Sequence, residues 1–228
     1  MIKTVLFDLD DTLLDFHKAE AQALRKALEQ LGLEPRQETL DLYSAINARL
    51  WRRLERREIT REQVITERFE QLFAQLGVSR SPAEANELYK RFLGIGHFFM
   101  PGAQELLEEL YSGYELYLVS NGTATVQDSR IESAGIARYF KEIFISQRLG
   151  YDKPQVEFFN YCFERMPGFT KNTTIIIGDS LTSDILGGNN AGIHTCWFNP
   201  KGKPPRADIP AEYEVRELRR IPALLEAI

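Results

Sequence analysis

Two aspartates two residues apart, Asp8 and Asp10, follow the apolar run Val5-Leu6-Phe7 in the string Asp8-Leu9-Asp10-Asp11-Thr12. In an extended chain, residues i and i+2 point to one face, so these carboxylates repel unless a cation or shared proton holds them. Read alone, the string also suits an acidic turn capping a helix, because Asp and Thr are common in both places. Three more polar groups follow apolar runs: Ser120-Asn121-Gly122, Lys153-Pro154, and Gly178-Asp179-Ser180 with Asp184 beyond it. Each has a plain reading as a turn, a helix start or an N-cap. Gathered at one edge of a sheet, however, several carboxylates, an ammonium and a hydroxyl would be costly to bury without ligands.

The chemistry that uses such a set is phosphoryl transfer through a covalent intermediate. Asp8 could attack phosphorus and form an aspartyl phosphate, splitting one difficult displacement into two easier ones. Asp10 would protonate the leaving oxygen and then, as a base, activate water. Lys153, the Ser120 hydroxyl and backbone N–H groups near Asn121 and Gly122 would stabilise the transferring oxygens. Carboxylate oxygens are hard ligands suited to Mg²⁺, which also binds substrate phosphate.

The elements that must position these residues can be read from hydropathy. Nearly continuous apolar runs at 2–9, 114–120, 143–146, 173–178 and 193–198 fit strands buried on both faces of a mostly parallel sheet. Helical patterns at 102–111, 123–134, 154–165 and 181–191 lie between them, and a short strand at 213–215 and a helix at 218–227 finish the chain. The expected fold class is α/β, a three-layer Rossmann-like core. In such sheets ligands bind beyond the carboxyl ends of the strands, where all four polar groups fall. The stretch between the first two strands is far too long for a crossover and reads as four helices, 18–31, 38–57, 61–76 and 82–92. The expected organisation is a core of residues 1–14 and 100–228 with an inserted all-helical cap, 15–99. Gly94, Gly96 and Gly102 at its second connection could absorb a hinge motion.

Composition narrows the partners. The 228 residues carry a net charge of −5, which gives no support for a nucleic-acid polymer, a partner usually met by a basic surface. No apolar run approaches the ~20 residues of a membrane span, and the N-terminus moves directly into a strand, so a cytoplasmic protein without a membrane partner is expected. Cys162 and Cys196 read as reduced, partly buried thiols. The arginine cluster Arg49, Arg52, Arg53, Arg56 and Arg57 reads as a solvated, salt-bridged helix face, and Asp11 as a bystander turned away from the site.

The four ordered groups, Asp8-Leu9-Asp10-Asp11-Thr12, Ser120-Asn121-Gly122, Lys153-Pro154 and Gly178-Asp179-Ser180-Leu181-Thr182-Ser183-Asp184, resemble the motifs of the haloacid dehalogenase superfamily. That resemblance implies Asp8 as nucleophile, Asp10 as acid and base, Thr12 and Ser120 as phosphate and site organisers, and Lys153 as the phosphate-binding lysine. It further implies Mg²⁺, with Mn²⁺ or Co²⁺ as substitutes, held by the Asp8 carboxylate, the Asp10 carbonyl and Asp179, with Asp184 supporting Lys153 and the metal's waters. The second acid at Asp10 is a mark of the superfamily's phosphatases, since its true dehalogenases lack it. Local strings, including Gln127 and Arg130 after Ser120-Asn121-Gly122, look like the bacterial pyrimidine 5'-nucleotidase branch. The implied substrate is a small phosphorylated metabolite, a nucleoside 5'-monophosphate. A phosphatase for phosphoglycolate or a sugar phosphate, a phosphomutase, and a non-catalytic binding protein are the alternatives. The sequence assigns no oligomeric state.

Overall fold

The computed structural model describes residues 1–228. Six strands, β1 (Thr4–Phe7), β2 (Glu115–Ser120), β3 (Glu142–Ile145), β4 (Thr174–Gly178), β5 (His194–Phe198) and β6 (Tyr213–Val215), form one sheet in the order β3-β2-β1-β4-β5-β6. Every neighbouring pair is parallel. Alternation sorts the side chains by face. Val5 and Phe7 of β1, Leu116 and Leu118 of β2, and Ile175 and Ile177 of β4 enter one apolar cluster, whereas Leu6, Tyr117, Val119 and Ile176 enter another. Helices α5 (Ala103–Leu110) and α10 (Ile221–Ala227) supply the first layer, and α8 (Val156–Phe163) and α9 (Leu186–Ala191) supply the second. Gly188 lets α9 settle on the sheet, since a Cβ there would lie 2.6 Å from Ile176 and from Thr195.

Between β1 and β2 the chain forms α1 (Phe16–Gln30), α2 (Gln37–Glu55), α3 (Arg61–Leu76) and α4 (Pro82–Gly94). Their starts follow local chemistry. Asp15 accepts from the Lys18 N–H at 2.8 Å, Thr60 and Gln63 make a capping box, and Ser81 caps α4 ahead of Pro82. The four helices share an apolar cluster that includes Tyr43, Phe69 and Tyr89, whose ring centroids lie 5.0 to 5.8 Å apart. The segments leading into and out of these helices are joined, the Asp15 N–H donating to Phe98 O at 2.7 Å and the Met100 N–H to Leu13 O at 2.9 Å. Gly94 and Gly96 are close-approach positions, where a Cβ would meet Ser129 at 3.0 Å and Ala19 at 3.2 Å. α6 (Ala124–Ala134) packs against α4. No helix is long and apolar enough to cross a membrane.

The expected elements are all present, with three local differences. A short helix, α7 (Ser146–Leu149), follows β3 directly. The helix expected from Pro154 begins at Val156, because residues 152–155 turn back with the Gln155 N–H donating to Asp152 O at 2.8 Å. The helix expected over 181–191 opens as a wide π-helical turn, Leu181–Ile185, before α9. There the Asp184 carboxylate and Ser180 hydroxyl take the N–H groups of Ser180 and Ser183, at 3.0 and 3.2 Å. Phe69 is fully buried among the aromatic rings of α2, α3 and α4. Phe69→Ala is expected to cost about 3 to 5 kcal/mol in a denaturant titration, as a large side chain removed from a packed core does.

Candidate active site

β1 and β4 adjoin at the point where the strand order reverses, the place at which an open parallel sheet leaves a crevice. Phe7 pairs with Ile177, and the Asp8 N–H continues the ladder to Ile177 O at 3.0 Å. That register sets Asp8 level with Gly178 and one residue short of Asp179. Thr12 spans the gap, its hydroxyl donating to Asp8 Oδ2 at 3.2 Å and accepting from the Asp179 N–H at 3.1 Å.

Lys153 is 1 % exposed, and its Nζ donates to Asp8 Oδ1, Asp184 Oδ1 and Val119 O, each at 2.7 Å. An ammonium has three hydrogens to give, so all are used. Burial acts to lower its pKa, but the charges and hydrogen bonds of Asp184 and Asp8 outweigh it and hold the lysine above its ordinary value. Asn121 fixes the lysine's backbone, its Nδ2 donating to Lys153 O at 2.7 Å and its Oδ1 accepting the Lys153 N–H at 2.8 Å. Gly178 makes room for Asp184, because a side chain at Gly178 would overlap the Asp184 carboxylate.

One oxygen from each of Asp8, Asp179 and Asp184 lies within 4.8 Å of the others. Burial pushes the Asp8 carboxyl up to about 7 against the pull of Lys153, with Asp184 and Asp10 adding repulsion. Burial, then Asp184 and Asp8, lifts Asp179 well above the usual carboxylate range. Three hard oxygen donors meeting one ammonium leave an excess of negative charge, the donor set that a divalent cation fits.

Asp10 is held apart from this cluster. Its carboxylate takes an ion pair from Arg130 and a hydrogen bond at 2.8 Å from Gln127 Nε2, which also donates to the Ser120 hydroxyl at 2.7 Å. Ser120 thus meets the site through Gln127. Gly122 sits where a Cβ would press on Gln127 at 2.5 Å. Asp11, read from sequence as a bystander, lines the cavity instead. It adopts φ 59°, and its Oδ1 accepts from the Phe16 and His17 N–H groups at 2.9 and 3.3 Å, so it sets the entry to α1.

A cavity of about 430 Å³ joins Asp8, Asp10 and Asp179 to side chains of α1, α2, α3 and α4. At its rim Thr182 donates to Glu55 Oε2 at 2.9 Å. Nearby, buried Arg61 pairs with Asp152, the neighbour of Lys153, donates to Ser146 Oγ at 2.7 Å, and lies 5.3 Å over the Trp51 ring. Of the arginine cluster, Arg53 and Arg57 make solvated pairs with Glu58 and Glu157, whereas Arg52 lines the cavity. Spacing alone gave Gln127 and Arg130 no role. Their signal was a Gln and an Arg one helical turn apart on the same face of α6 as Val126 and Ile131, where burial of polar groups requires partners.

The model of the haloacid dehalogenase-like hydrolase family matches residues 5–198. The HAD-hydrolase YfnB of Bacillus subtilis is 42% identical over 96% of this chain and 93% of its own length. Its crystal structure, bound to magnesium, superposes with a TM-score of 0.94 and covers 98% of both chains. The pyrimidine 5'-nucleotidase PynA of Streptococcus pneumoniae is 38% identical over 93% of this chain and 90% of its own. The corresponding enzyme YjjG of Escherichia coli is 30% identical over 94% and 96%. A match that begins in the strand delivering Asp8 and ends beyond Asp184, with relatives aligned along nearly their whole length, makes this chain a haloacid dehalogenase-like hydrolase.

Proposed function

We propose that the protein is a Mg²⁺-dependent phosphomonoesterase working through an aspartyl phosphate on Asp8, with a nucleoside 5'-monophosphate as substrate. The observation that carries the chemistry is the meeting of its two leading acids in one cavity, each on its own partners. Asp8 lies with Lys153 and the other carboxylates, and Asp10 is turned by Arg130 and Gln127 into the same cavity. A nucleophile and a separate proton carrier must both reach the same substrate while keeping separate partners. The nucleotide substrate is supported by the names of PynA and YjjG, both pyrimidine 5'-nucleotidases aligned over almost the whole chain.

In this reading, residues 1–14 and 100–228 are the catalytic core and residues 15–99 a cap over the cavity. Asp8 attacks the phosphorus while Asp10 gives its proton to the departing ribose oxygen. Asp10, now a base, takes a proton from the water that opens the aspartyl phosphate, and both partners are restored. The charge of Lys153 and the backbone N–H groups of Asn121 and Gly122 would offset the charge on the transferring oxygens, Ser120 acts through Gln127, and Thr12 keeps Asp8 aligned. Asp8, the Asp10 carbonyl and Asp179 would hold Mg²⁺, with Asp184 behind them, and Mn²⁺ or Co²⁺ would fit the same oxygens. When bound, the cation supplies charge neutralisation for the phosphoryl oxygens.

Phosphate release from UMP should fall about 10⁴-fold or more in Asp8→Asn, as removal of a nucleophile does, with the circular dichroism spectrum unchanged. Turnover without a drop of at least about a hundredfold would refute the assignment. Chelation of divalent ions should abolish phosphate release, and Mg²⁺ should restore it; activity indifferent to chelator argues against a cation among the acids. In Gly178→Ala the added methyl displaces the Asp184 carboxylate, so kcat should drop about tenfold or more while the protein stays folded.

A further inference from the structure

Arg61 is a charged side chain in a place that helix formation does not favour. It is the first residue of α3, the end at which the helix dipole disfavours a cation, and it is 8 % exposed. It does not line the cavity, so its guanidinium is not a substrate contact. The guanidinium reaches instead from the helical segment to the core. Its Nη2 pairs with Asp152 and donates to Ser146 Oγ at 2.7 Å, while Nη1 is buried without a partner. A well-packed apolar residue does as well or better at a buried position of this kind, so the cost points to a use other than stability.

The two partners of Arg61 are the two ends of one short segment. Ser146 follows β3 directly and opens α7, and Asp152 precedes Lys153. Between them the chain makes the single turn of α7 and passes Gly150 at φ 80°. Asp152 O accepts the Gln155 N–H at 2.8 Å, so the residue that Arg61 holds also closes the turn that carries Lys153. Arg61 is the one side chain that donates to the Asp152 carboxylate, which is 16 % exposed. Without the guanidinium that carboxylate must turn toward water, and the turn moves with it. Lys153 has little room to follow. Its three hydrogen bonds are each 2.7 Å long, and such bonds weaken steeply once their geometry is lost.

We propose that Arg61 is a positioning residue for phosphoryl transfer: by fixing Ser146 and Asp152 it sets the placement of Lys153 against Asp8. The helical segment thereby governs turnover through a residue that touches no substrate. The inference rests on the phosphomonoesterase reading above and is independent of which phosphate ester is the natural substrate. A displacement of about 1 Å, caused by a change far from the chemistry, is enough to cost a hundredfold in rate.

The test is kcat and KM for p-nitrophenyl phosphate and UMP with Mg²⁺, in the wild type, Arg61→Leu, Arg61→Lys, Asp152→Asn, the double variant Arg61→Leu with Asp152→Asn, and Arg57→Gln. Arg61→Leu should lower kcat by about tenfold or more on both substrates. KM should change by less than about twofold, because a misplaced charge is missed chiefly in the transition state. Arg61→Lys can still meet Asp152 and should turn over faster than Arg61→Leu. The double variant should be no slower than Arg61→Leu, since both changes act through one contact. Arg57 makes an exposed pair with Glu157 at the same corner of the helices, and Arg57→Gln should keep the wild-type kcat. Thermal melts establish that each variant folds, and Asp152→Asn carries the test if Arg61→Leu does not. Wild-type kcat in the folded variants, single losses that multiply in the double variant, an equal loss in Arg57→Gln, or a loss confined to KM for UMP overturns the positioning role while the phosphomonoesterase reading stands. A wild type that releases phosphate from neither substrate overturns that reading and the positioning role with it.

Discussion

The buried ammonium of Lys153 is the contact on which the rest of the site depends. Its three hydrogens reach a carboxylate after β1, a backbone carbonyl of β2 and a carboxylate after β4, so one cation ties together three neighbouring strands. Burial alone would strip that charge, and the two carboxylates keep it. The dependence is mutual. Removing one partner of a buried pair leaves an uncompensated charge, at a cost of about 3 to 5 kcal/mol. The surroundings accordingly hold the lysine's backbone as well as its tip, through both ends of the Asn121 amide.

Around this point the two leading acids are given different electrostatic settings. Asp8 shares Lys153 with Asp184 and stands within reach of Asp179, in a cluster with more negative than positive charge. Asp10 faces a guanidinium with no solvent exposure and an amide that also holds Ser120. Two carboxylates two residues apart in the chain thus end with unlike partners. Environment, not residue type, gives the two carboxylates unlike character. The helical segment is tied into the same arrangement, because Arg61 pairs with the residue preceding Lys153 and Glu55 accepts from Thr182 in the π-helical turn after β4.

The α/β class, the parallel order of the strands and the run of helices between β1 and β2 were legible in the sequence, because strands buried on both faces are apolar throughout and caps are written in local residues such as Thr60 and Gln63. The start of α8 and the π-helical turn were not, since each is set by a hydrogen bond closing a turn, from Gln155 to Asp152 and from Ser180 to Asp184. Asp11 departs from its expected face for a related reason. Alternation assigns it to the far face, but the chain leaves the extended conformation there with a positive φ.

The sequence by itself determined which chemical groups gather at the carboxyl edge of the sheet, because polar residues directly after apolar runs must emerge where strands end. It also determined the family, since those groups come in a fixed order along the chain. Only the tertiary structure decided their pairing. Asp10 meets Arg130 across 120 residues, and Asn47 meets Glu20 across 27. Those meetings depend on strand register and on how helices dock. Local spacing fixes the face of an element that a side chain occupies, and packing fixes what stands opposite it.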